Sequence, residues 1–438
     1  LWGSIGPFLT IVAVIGAVLV CCALIRGLWW ASGVWTRVAA PARLTGGLAA
    51  GSILFGAVAV AEVGHAMHRW RLPVEPFGQA FTARVGVERV ELARATLEDL
   101  RAFEAAAEDD PFSDWPGLLG VIDRDVIVIF VESYGRASLD TPLYAETHRA
   151  TLAAAEARLS GLGLSMRSGF LTAPTRGGQS WLSHATFANG LWIDNQTSYG
   201  AVLASGRRSL FHIAAEAGFH TAAVMPQITL DWPEADRMGF DTVLAAADLG
   251  YRGQPFNWVT MPDQFTYAAL DRLLRSDPDR RPVFVQVATG TSHAPWVPVP
   301  EIVDWDAIDD GRIFNAMAAS GDPPDVVWRD RDRVRDQYRQ ALDYALRVIF
   351  DYAARHAVDP PLILVVGDHQ AAGFVALDDR PDVPAHVIGP DHLVARTAVW
   401  GWDTGLIPDP ETGRRSMAEM RNLILGTFSN APDREAGR

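Results

Sequence analysis

The sequence predicts an α/β fold in which helices flank a central, largely parallel sheet. After residue 123, short apolar runs alternate with helical segments, and two of the runs are continuously apolar and rich in β-branched residues. Strands that are buried on both faces of a parallel sheet have this composition, and their alternation with helices is typical of α/β domains. The predicted strands lie at 126–131, 221–225, 283–287, 362–366 and 386–388, and the predicted helices at 145–159, 210–217, 264–274 and 331–356.

The first 70 residues have a different composition. An uncharged run at 7–25 has about the length that a helix needs to cross a bilayer, and a second run at 44–63 carries one acidic residue near its end. Three arginines and no acidic residue separate the runs, which favours a short cytoplasmic loop and a chain that continues outside the cytoplasm. Arg69 and Arg71 argue against this orientation. A cleaved signal peptide is the alternative, but no small-residue cleavage pattern follows the first run.

These patterns divide the chain into three parts. Residues 1–70 are predicted to form a membrane region with two transmembrane helices, and residues 71–122 a connector with an amphipathic helix at 88–110. Residues 123–430 are predicted to form the globular domain. The net charge of −14 argues against a nucleic-acid partner. The two cysteines are adjacent, at 21 and 22, and provide neither a disulfide framework nor a metal motif.

Two of the predicted strands end in side chains that bind metals. Glu132 follows the first strand, and Asp368 and His369 follow the strand at 362–366. Ligand sites in open α/β sheets lie beyond the carboxyl ends of the strands, and carboxylates with an imidazole suit a divalent cation. The sequence therefore predicts that these three residues bind one metal ion. The structural alternative is that Glu132 caps a turn and Asp368 hydrogen-bonds a loop.

A candidate nucleophile lies where a glycine loop at 177–178 leads into a predicted helix. Ser180 occupies this junction, where free backbone N–H groups and the helix dipole favour negative charge. A metal ion in contact with the same oxygen would activate the hydroxyl further. We therefore predict Ser180 as the nucleophile and as a fourth metal ligand. The alternative is that Ser180 is only an N-cap residue, a common role for serine.

The order of these elements resembles the alkaline phosphatase and sulfatase superfamily over residues 125–390. The spacing of Ser180, His184 and Gly190 is similar to the nucleophile helix of the nucleotide pyrophosphatase/phosphodiesterases. Membrane anchoring and the segment 289–296 more closely resemble lipoteichoic acid synthase and the phosphoethanolamine transferases. The resemblance implies an alkaline-phosphatase-like domain with one catalytic Mn²⁺ or Zn²⁺. It also implies that His293 contacts the substrate phosphate and that Trp232 lies over the substrate.

The resemblance also implies a function. A phosphoryl-linked head group, phosphoglycerol or phosphoethanolamine, would pass from a membrane lipid donor to an envelope glycan or lipid through a covalent Ser180 intermediate. The expected location is the inner or plasma membrane, with the catalytic domain outside the cytoplasm. A sulfatase or phosphodiesterase of the same superfamily is the alternative, in which water completes the reaction. A catalytically inactive envelope-assembly or sensor protein is disfavoured by the intact ligand set.

One segment departs from the resemblance. Residues 172–176 mimic the sulfatase signature of Cys or Ser, any residue, Pro, any residue and Arg. The first position is Thr172, which cannot be oxidised to formylglycine, so we interpret the match as accidental. No further Asp/His/His set for a second ion is recognisable in the sequence.

Overall fold

The computed structural model describes residues 42–66, 69–70, 81–258 and 260–430, together with a few residues between 19 and 30. The chain divides into two compact units, residues 1–98 and 99–438. The domain boundaries that the sequence suggests, after residues 70 and 122, remain predictions.

Helix Ala42–Ala66 contains the second of the two predicted membrane spans. The first, at 7–25, lies almost entirely outside the described residues. In the part of the chain that the structure describes, no helix combines the length and the apolar character needed to cross a membrane. The prediction of two spans is therefore not confirmed. The predicted amphipathic helix at 88–110 is observed as Phe81–Glu108.

Within the described residues, a nine-stranded sheet forms the centre of the second unit. The strands are β1 (Val126–Val131), β2 (Ser165–Thr172), β3 (His220–Met225), β4 (Thr242–Ala245), β5 (Val283–Ala288), β6 (Leu362–Gly367), β7 (Asp382–Gly389), β8 (Asp403–Thr404) and β9 (Arg414–Ser416). Their order across the sheet is β4-β3-β5-β1-β6-β7-β2-β8, and β9 pairs with β2.

The sheet is mixed rather than parallel throughout. Strands β4, β3, β5, β1 and β6 pair in parallel, whereas β7 is antiparallel to both β6 and β2. The connection from β6 to β7 contains the helix Gly373–Ala376, which has four residues. Parallel strands need a long crossover, usually a full helix, so this short connection returns the chain beside β6 in the opposite direction. The α/β class is confirmed, with an antiparallel edge.

The predicted helices of the second unit are present, with small shifts at their ends. They are observed as Pro142–Gly161, Leu210–Glu216, Asp263–Leu270 with a π-helical continuation at Asp271–Arg275, and Arg331–Arg355. Further α-helices are Ala137–Asp140, Ser180–Asn189, Gln196–Ala204, Asn315–Ala318, Pro324–Val327, Gly373–Ala376, Asp391–Val394 and Met420–Phe428. Short 3₁₀ turns are Pro233–Arg237, Trp305–Ala307, Arg312–Phe314, Ala395–Trp400 and Met417–Glu419.

Alternate residues of β1 pack against opposite layers of helices. Val126, Val128 and Phe130 share a buried core with residues of helices Ser180–Asn189 and Met420–Phe428. Their neighbours at 127, 129 and 131 pack on the other face, in a second core that includes helix Arg331–Arg355. Side chains alternate between the faces of a strand, so the residue after Val131 returns to the face that carries helix Ser180–Asn189.

Candidate active site

The parallel pairing of β1 with β6 brings the predicted acidic ligands together. Val131 is aligned with Gly367, so Glu132 and Asp368 leave the sheet at the same edge. The backbone N–H of Ser133 donates to Asp368 Oδ1 (2.8 Å), and the N–H of His369 donates to the same oxygen (2.6 Å). One carboxylate therefore ties the two strand ends to each other.

Two glycines allow these strand ends to approach closely. A Cβ at Gly135 would lie 1.6 Å from Gln370 Oε1, and a Cβ at Gly367 would lie 2.0 Å from the carbonyl oxygen of Tyr134. Any other residue at either position would force the neighbouring turn to move. Packing beside Glu132 and His369 thus requires glycine at positions 135 and 367.

The loop before Ser180 has an unusual backbone that aims the serine at the strand ends. Gly177, Gly178 and Gln179 all have positive φ angles, of 69°, 141° and 66°. Glycine adopts such angles readily, whereas the left-handed Gln179 is strained. The N–H of Gly177 donates to the carbonyl oxygen of Gln370 (2.7 Å), which holds the loop beside His369. Helix Ser180–Asn189 begins directly after the loop.

The hydroxyl of Ser180 contacts two of the predicted metal ligands. Ser180 Oγ donates to Glu132 Oε2 (2.9 Å) and lies 3.2 Å from His369 Nε2. The N-cap residue of the helix is Gln179, so the alternative role of Ser180 as an N-cap is wrong. Ligand atoms of Glu132, Asp368 and His369 all lie within 4.8 Å of one another, and the three residues are buried. The structure thus brings together all four predicted ligands.

A second hydrogen bond determines which nitrogen of His369 faces the acids. His369 Nδ1 lies 3.0 Å from the carbonyl oxygen of Gln370. A carbonyl oxygen can only accept, so Nδ1 carries a proton, and Nε2 is the ring nitrogen that faces the cluster. Histidines that bind metals are usually oriented by such a bond at the remote nitrogen.

The two carboxylates and the imidazole of the cluster shift the pKa of one another. Burial opposes ionisation of Glu132, but the adjacent His369 outweighs it and holds the pKa of Glu132 well below its usual range. Burial and the charge of Glu132 raise the pKa of Asp368. Burial alone would lower the pKa of His369, yet the two carboxylates raise it.

The donor set of this cluster fits a divalent cation. In the described part of the chain, His369 is the only basic residue that pairs with Glu132 or Asp368. Buried carboxylates need a partner charge, and a divalent cation would allow both to ionise while His369 stays neutral. Two carboxylates, an imidazole and a hydroxyl are donors that Mn²⁺ and Zn²⁺ both accept.

A cavity of about 500 Å³ opens on this cluster. Both predicted substrate-binding residues, His293 and Trp232, line it, as do Glu132, Ser180 and Asp368. Much of the remaining wall is aromatic or apolar, with contributions from Phe130, Trp181, Tyr199, Met225, Ile228 and Met238. The metal cluster therefore adjoins a space that is suited to a small polar group with an apolar extension.

His293 belongs to a loop that a buried carboxylate anchors. The N–H groups of Gly290 and Thr291 donate to Asp263 Oδ1 at 2.7 and 3.1 Å. Burial raises the pKa of Asp263 to about 6. His293 Nδ1 lies 2.6 Å from the carbonyl oxygen of Ala294, so Nδ1 carries a proton and Nε2 is the nitrogen offered to a ligand.

His184 lines the same cavity but was not predicted as a site residue. It is buried against the ring of Phe130, with 4.1 Å between ring centroids, and burial lowers its pKa to about 3. Its Nε2 has no hydrogen-bond partner among the described residues. The sequence could have predicted this role, because His184 lies four residues after Ser180 and residues at this spacing share a helix face.

Thr172, the first residue of the sulfatase-like segment, lies elsewhere. It is the last residue of β2, and its hydroxyl donates to Asp382 Oδ1 on β7 (3.4 Å). It is not among the described residues that line the cavity. In this chain the position that would carry formylglycine is therefore separate from Ser180.

Comparison with known proteins gives a family and a set of similar folds. Residues 124–382 match the sequence family described as Sulfatase. Similar solved structures include the lipoteichoic acid synthase LtaP from Listeria monocytogenes, with 12% identity, a TM-score of 0.46, and coverage of 77% of this chain and 79% of that chain. The C-terminal periplasmic domain of EcEptC from Escherichia coli has 14% identity, a TM-score of 0.45, and coverage of 71% and 84%. The phosphonate monoester hydrolase of Agrobacterium radiobacter has 14% identity, a TM-score of 0.39, and coverage of 71% and 78%. The chain matches no curated protein sequence.

Proposed function

The chain belongs to the sulfatase family, and on that premise we propose that it transfers a phosphoryl-linked head group, phosphoglycerol or phosphoethanolamine, from a membrane lipid to an envelope glycan or lipid. The observation that carries the proposal is the position of Ser180. Its hydroxyl contacts Glu132 and His369, stands at a helix N-terminus and lines the cavity. These are the surroundings of an activated nucleophile for an anionic phosphoryl group.

In the first step, Ser180 Oγ bonds to phosphorus and the bond from phosphorus to the diacylglycerol oxygen breaks. Ser180 must lose its proton as it attacks, and this proton passes to Glu132 Oε2, which lies 2.9 Å away and accepts a hydrogen bond from the hydroxyl. The departing oxygen must gain a proton, which protonated His293 supplies from Nε2. The head group is then bound to Ser180 through phosphorus.

In the second step, an acceptor hydroxyl bonds to the same phosphorus and the bond to Ser180 breaks. The acceptor proton passes to His293, and Ser180 regains the proton that it gave to Glu132, so the protein ends unchanged. The helix Ser180–Asn189 directs its N-terminus towards the charge that develops on the phosphoryl oxygens.

One metal ion, Mn²⁺ or Zn²⁺, would be held by Glu132, Ser180, Asp368 and His369. When bound, such an ion lowers the pKa of a coordinated hydroxyl and offsets negative charge on phosphoryl oxygens. Asp368 and His369 are fixed by hydrogen bonds with backbone groups, and Glu132 is positioned by the pairing of β1 with β6. These three ligands are therefore organised before the ion binds.

Apolar groups near the cavity support a lipid donor. Leu230 is 83% exposed and lies between the cavity residues Ile228 and Trp232, and Trp181 next to the nucleophile is 43% exposed. Scattered exposed apolar residues are common, but apolar groups clustered beside a binding cavity indicate an apolar partner. The hydrocarbon part of a phospholipid is such a partner.

We expect Leu230→Glu to slow the reaction with a lipid donor while sparing a soluble one. The change should lower diacylglycerol release from phosphatidylethanolamine and phosphatidylglycerol vesicles about tenfold, because an exposed leucine loses its contact with the lipid. Hydrolysis of a soluble nitrophenyl phosphodiester should stay within about twofold. Val358→Glu is the matched control, since Val358 is fully exposed and precedes β6, at the opposite end of the sheet. Equal slowing with both substrates would contradict the lipid contact.

The location of the domain outside the cytoplasm is proposed from the sequence. A lipid donor and an envelope acceptor meet at the outer surface of the membrane, and the arginines between the apolar runs favour this orientation. A reporter that is active only outside the cytoplasm, fused after Arg438 in cells, should be active. Activity of a cytoplasmic reporter alone would remove envelope acceptors from the proposal.

A further inference from the structure

The cavity wall also contains Glu234 and three aromatic residues. Trp181, Tyr199 and Trp232 line the cavity together with Glu234. Trp181 is held by a hydrogen bond from its Nε1 to Gln196 Oε1 (3.2 Å), and Trp232 packs against Phe240 with 6.3 Å between ring centroids. The wall thus combines a carboxylate with indole and phenol rings.

Glu234 and the aromatic groups interact with each other. Burial and the negative charge of Glu234 raise the pKa of Tyr199 to about 12, while a hydrogen bond from Trp232 acts in the opposite direction. Among the described residues, none forms a hydrogen bond or an ion pair with the Glu234 carboxylate. An unpaired carboxylate among aromatic faces attracts a cation, because the ring faces carry negative charge as well.

The charge of the cavity also calls for a cationic ligand. Glu132, Glu234 and Asp368 line it, and none of the described lining residues is an arginine; the chain contains no lysine. A divalent ion would balance Glu132 and Asp368 only. Glu234 and the negative charge of a phosphodiester would remain uncompensated, and a positive group beside Glu234 would reduce this excess.

We propose that Glu234, Trp232 and Tyr199 form a subsite for the ammonium end of an aminoalkyl phosphate head group. The inference rests on the proposed function, which assigns the phosphoryl group to Ser180. It selects phosphoethanolamine over phosphoglycerol, because a glycerol hydroxyl group offers no charge to Glu234 and no cation to the rings. Glu234 is then a specificity residue.

The 3₁₀ turn Pro233–Arg237 provides a matched control. Asp236 lies two residues after Glu234 on the same turn, is also exposed, and is not among the described residues that line the cavity. Glu234→Gln and Asp236→Asn remove the same charge from the same turn, and neither removes a described hydrogen bond. A difference between the two variants therefore reports the position of the charge and not the loss of charge itself.

The test is the affinity of Mn²⁺-loaded protein for 2-aminoethylphosphonate and 2-hydroxyethylphosphonate, measured by titration calorimetry. The two probes differ in one group, and neither contains a phosphate ester that the protein could cleave. We expect the amine to bind about tenfold more tightly, in line with a cation–π contact and a partly exposed ion pair. Glu234→Gln should abolish this preference, and Asp236→Asn should retain it.

Equal affinity of the wild-type protein for the two phosphonates, failure of the amine to bind, or a preference that survives in Glu234→Gln would each overturn the subsite. The proposed reaction fails on a different measurement, diacylglycerol release from phospholipid vesicles. A protein that prefers the amine but releases no diacylglycerol would keep the subsite and lose the reaction.

Discussion

Ser180→Ala should reduce turnover at least about a thousandfold, with any phosphodiester substrate, because it removes the atom that bonds to phosphorus. The hydroxyl makes two described contacts, with Glu132 and His369, and both partners keep other hydrogen bonds. The fold should therefore persist. Initial rates with vesicles and with a nitrophenyl phosphodiester measure the effect, and thermal unfolding checks the fold.

Thr172→Ala is the informative control for this prediction. Thr172 occupies the first position of the sulfatase-like segment, and its hydroxyl makes one long hydrogen bond to Asp382. Its removal should leave turnover within about twofold and cost roughly 1 kcal/mol of stability at most. Full activity in Ser180→Ala, or loss of activity in Thr172→Ala alone, would move the nucleophile to the sulfatase-like position and contradict the proposed reaction.

Asp368→Asn should abolish both metal binding and turnover. The amide keeps the oxygen that accepts from Ser133 and His369, so the strand ends stay connected, but the site loses one of its two negative charges. Metal content after dialysis against Mn²⁺ or Zn²⁺ should fall from about one ion per chain to near zero. This readout does not depend on activity.

Thermal unfolding gives a second readout of the metal. An ion present at about a hundred times its dissociation constant stabilises the wild-type fold by about 2.7 kcal/mol, which raises the melting temperature by several degrees. Asp368→Asn should lose this rise. Asp359→Asn, at a residue whose side chain is 95% exposed, should keep it. Unchanged metal content in Asp368→Asn would show that the ion binds elsewhere.

The parts of the site that the sequence could predict are those that local patterns specify. Strands β1 and β6 are continuous apolar runs, and parallel pairing brings their carboxyl ends to one edge. Glu132, Asp368 and His369 were therefore predictable as neighbours without any alignment. The position of Ser180 at the start of a helix was predictable from the two glycines before it, which adopt positive φ angles in the loop.

The parts that sequence reasoning missed depend on tertiary contacts. Strand β2 begins with Ser165 and contains Arg167 and Ser168, so it lacks an apolar run, and its pairing with β7, β8 and β9 is what makes it a strand. Glu234 stands in a short 3₁₀ turn, where an acidic residue carries no periodic signal. Only the packing of that turn places the Glu234 carboxylate at the cavity.

The most direct test of the account is the mass of the peptide that contains Ser180. Metal-loaded protein, quenched with acid while it turns over phosphatidylethanolamine and phosphatidylglycerol vesicles, should carry a phosphoryl-linked head group on Ser180. The added mass identifies that group, and the account predicts phosphoethanolamine. Ser180 that stays unmodified throughout turnover, or a head group attached to a different residue, would contradict the covalent reaction.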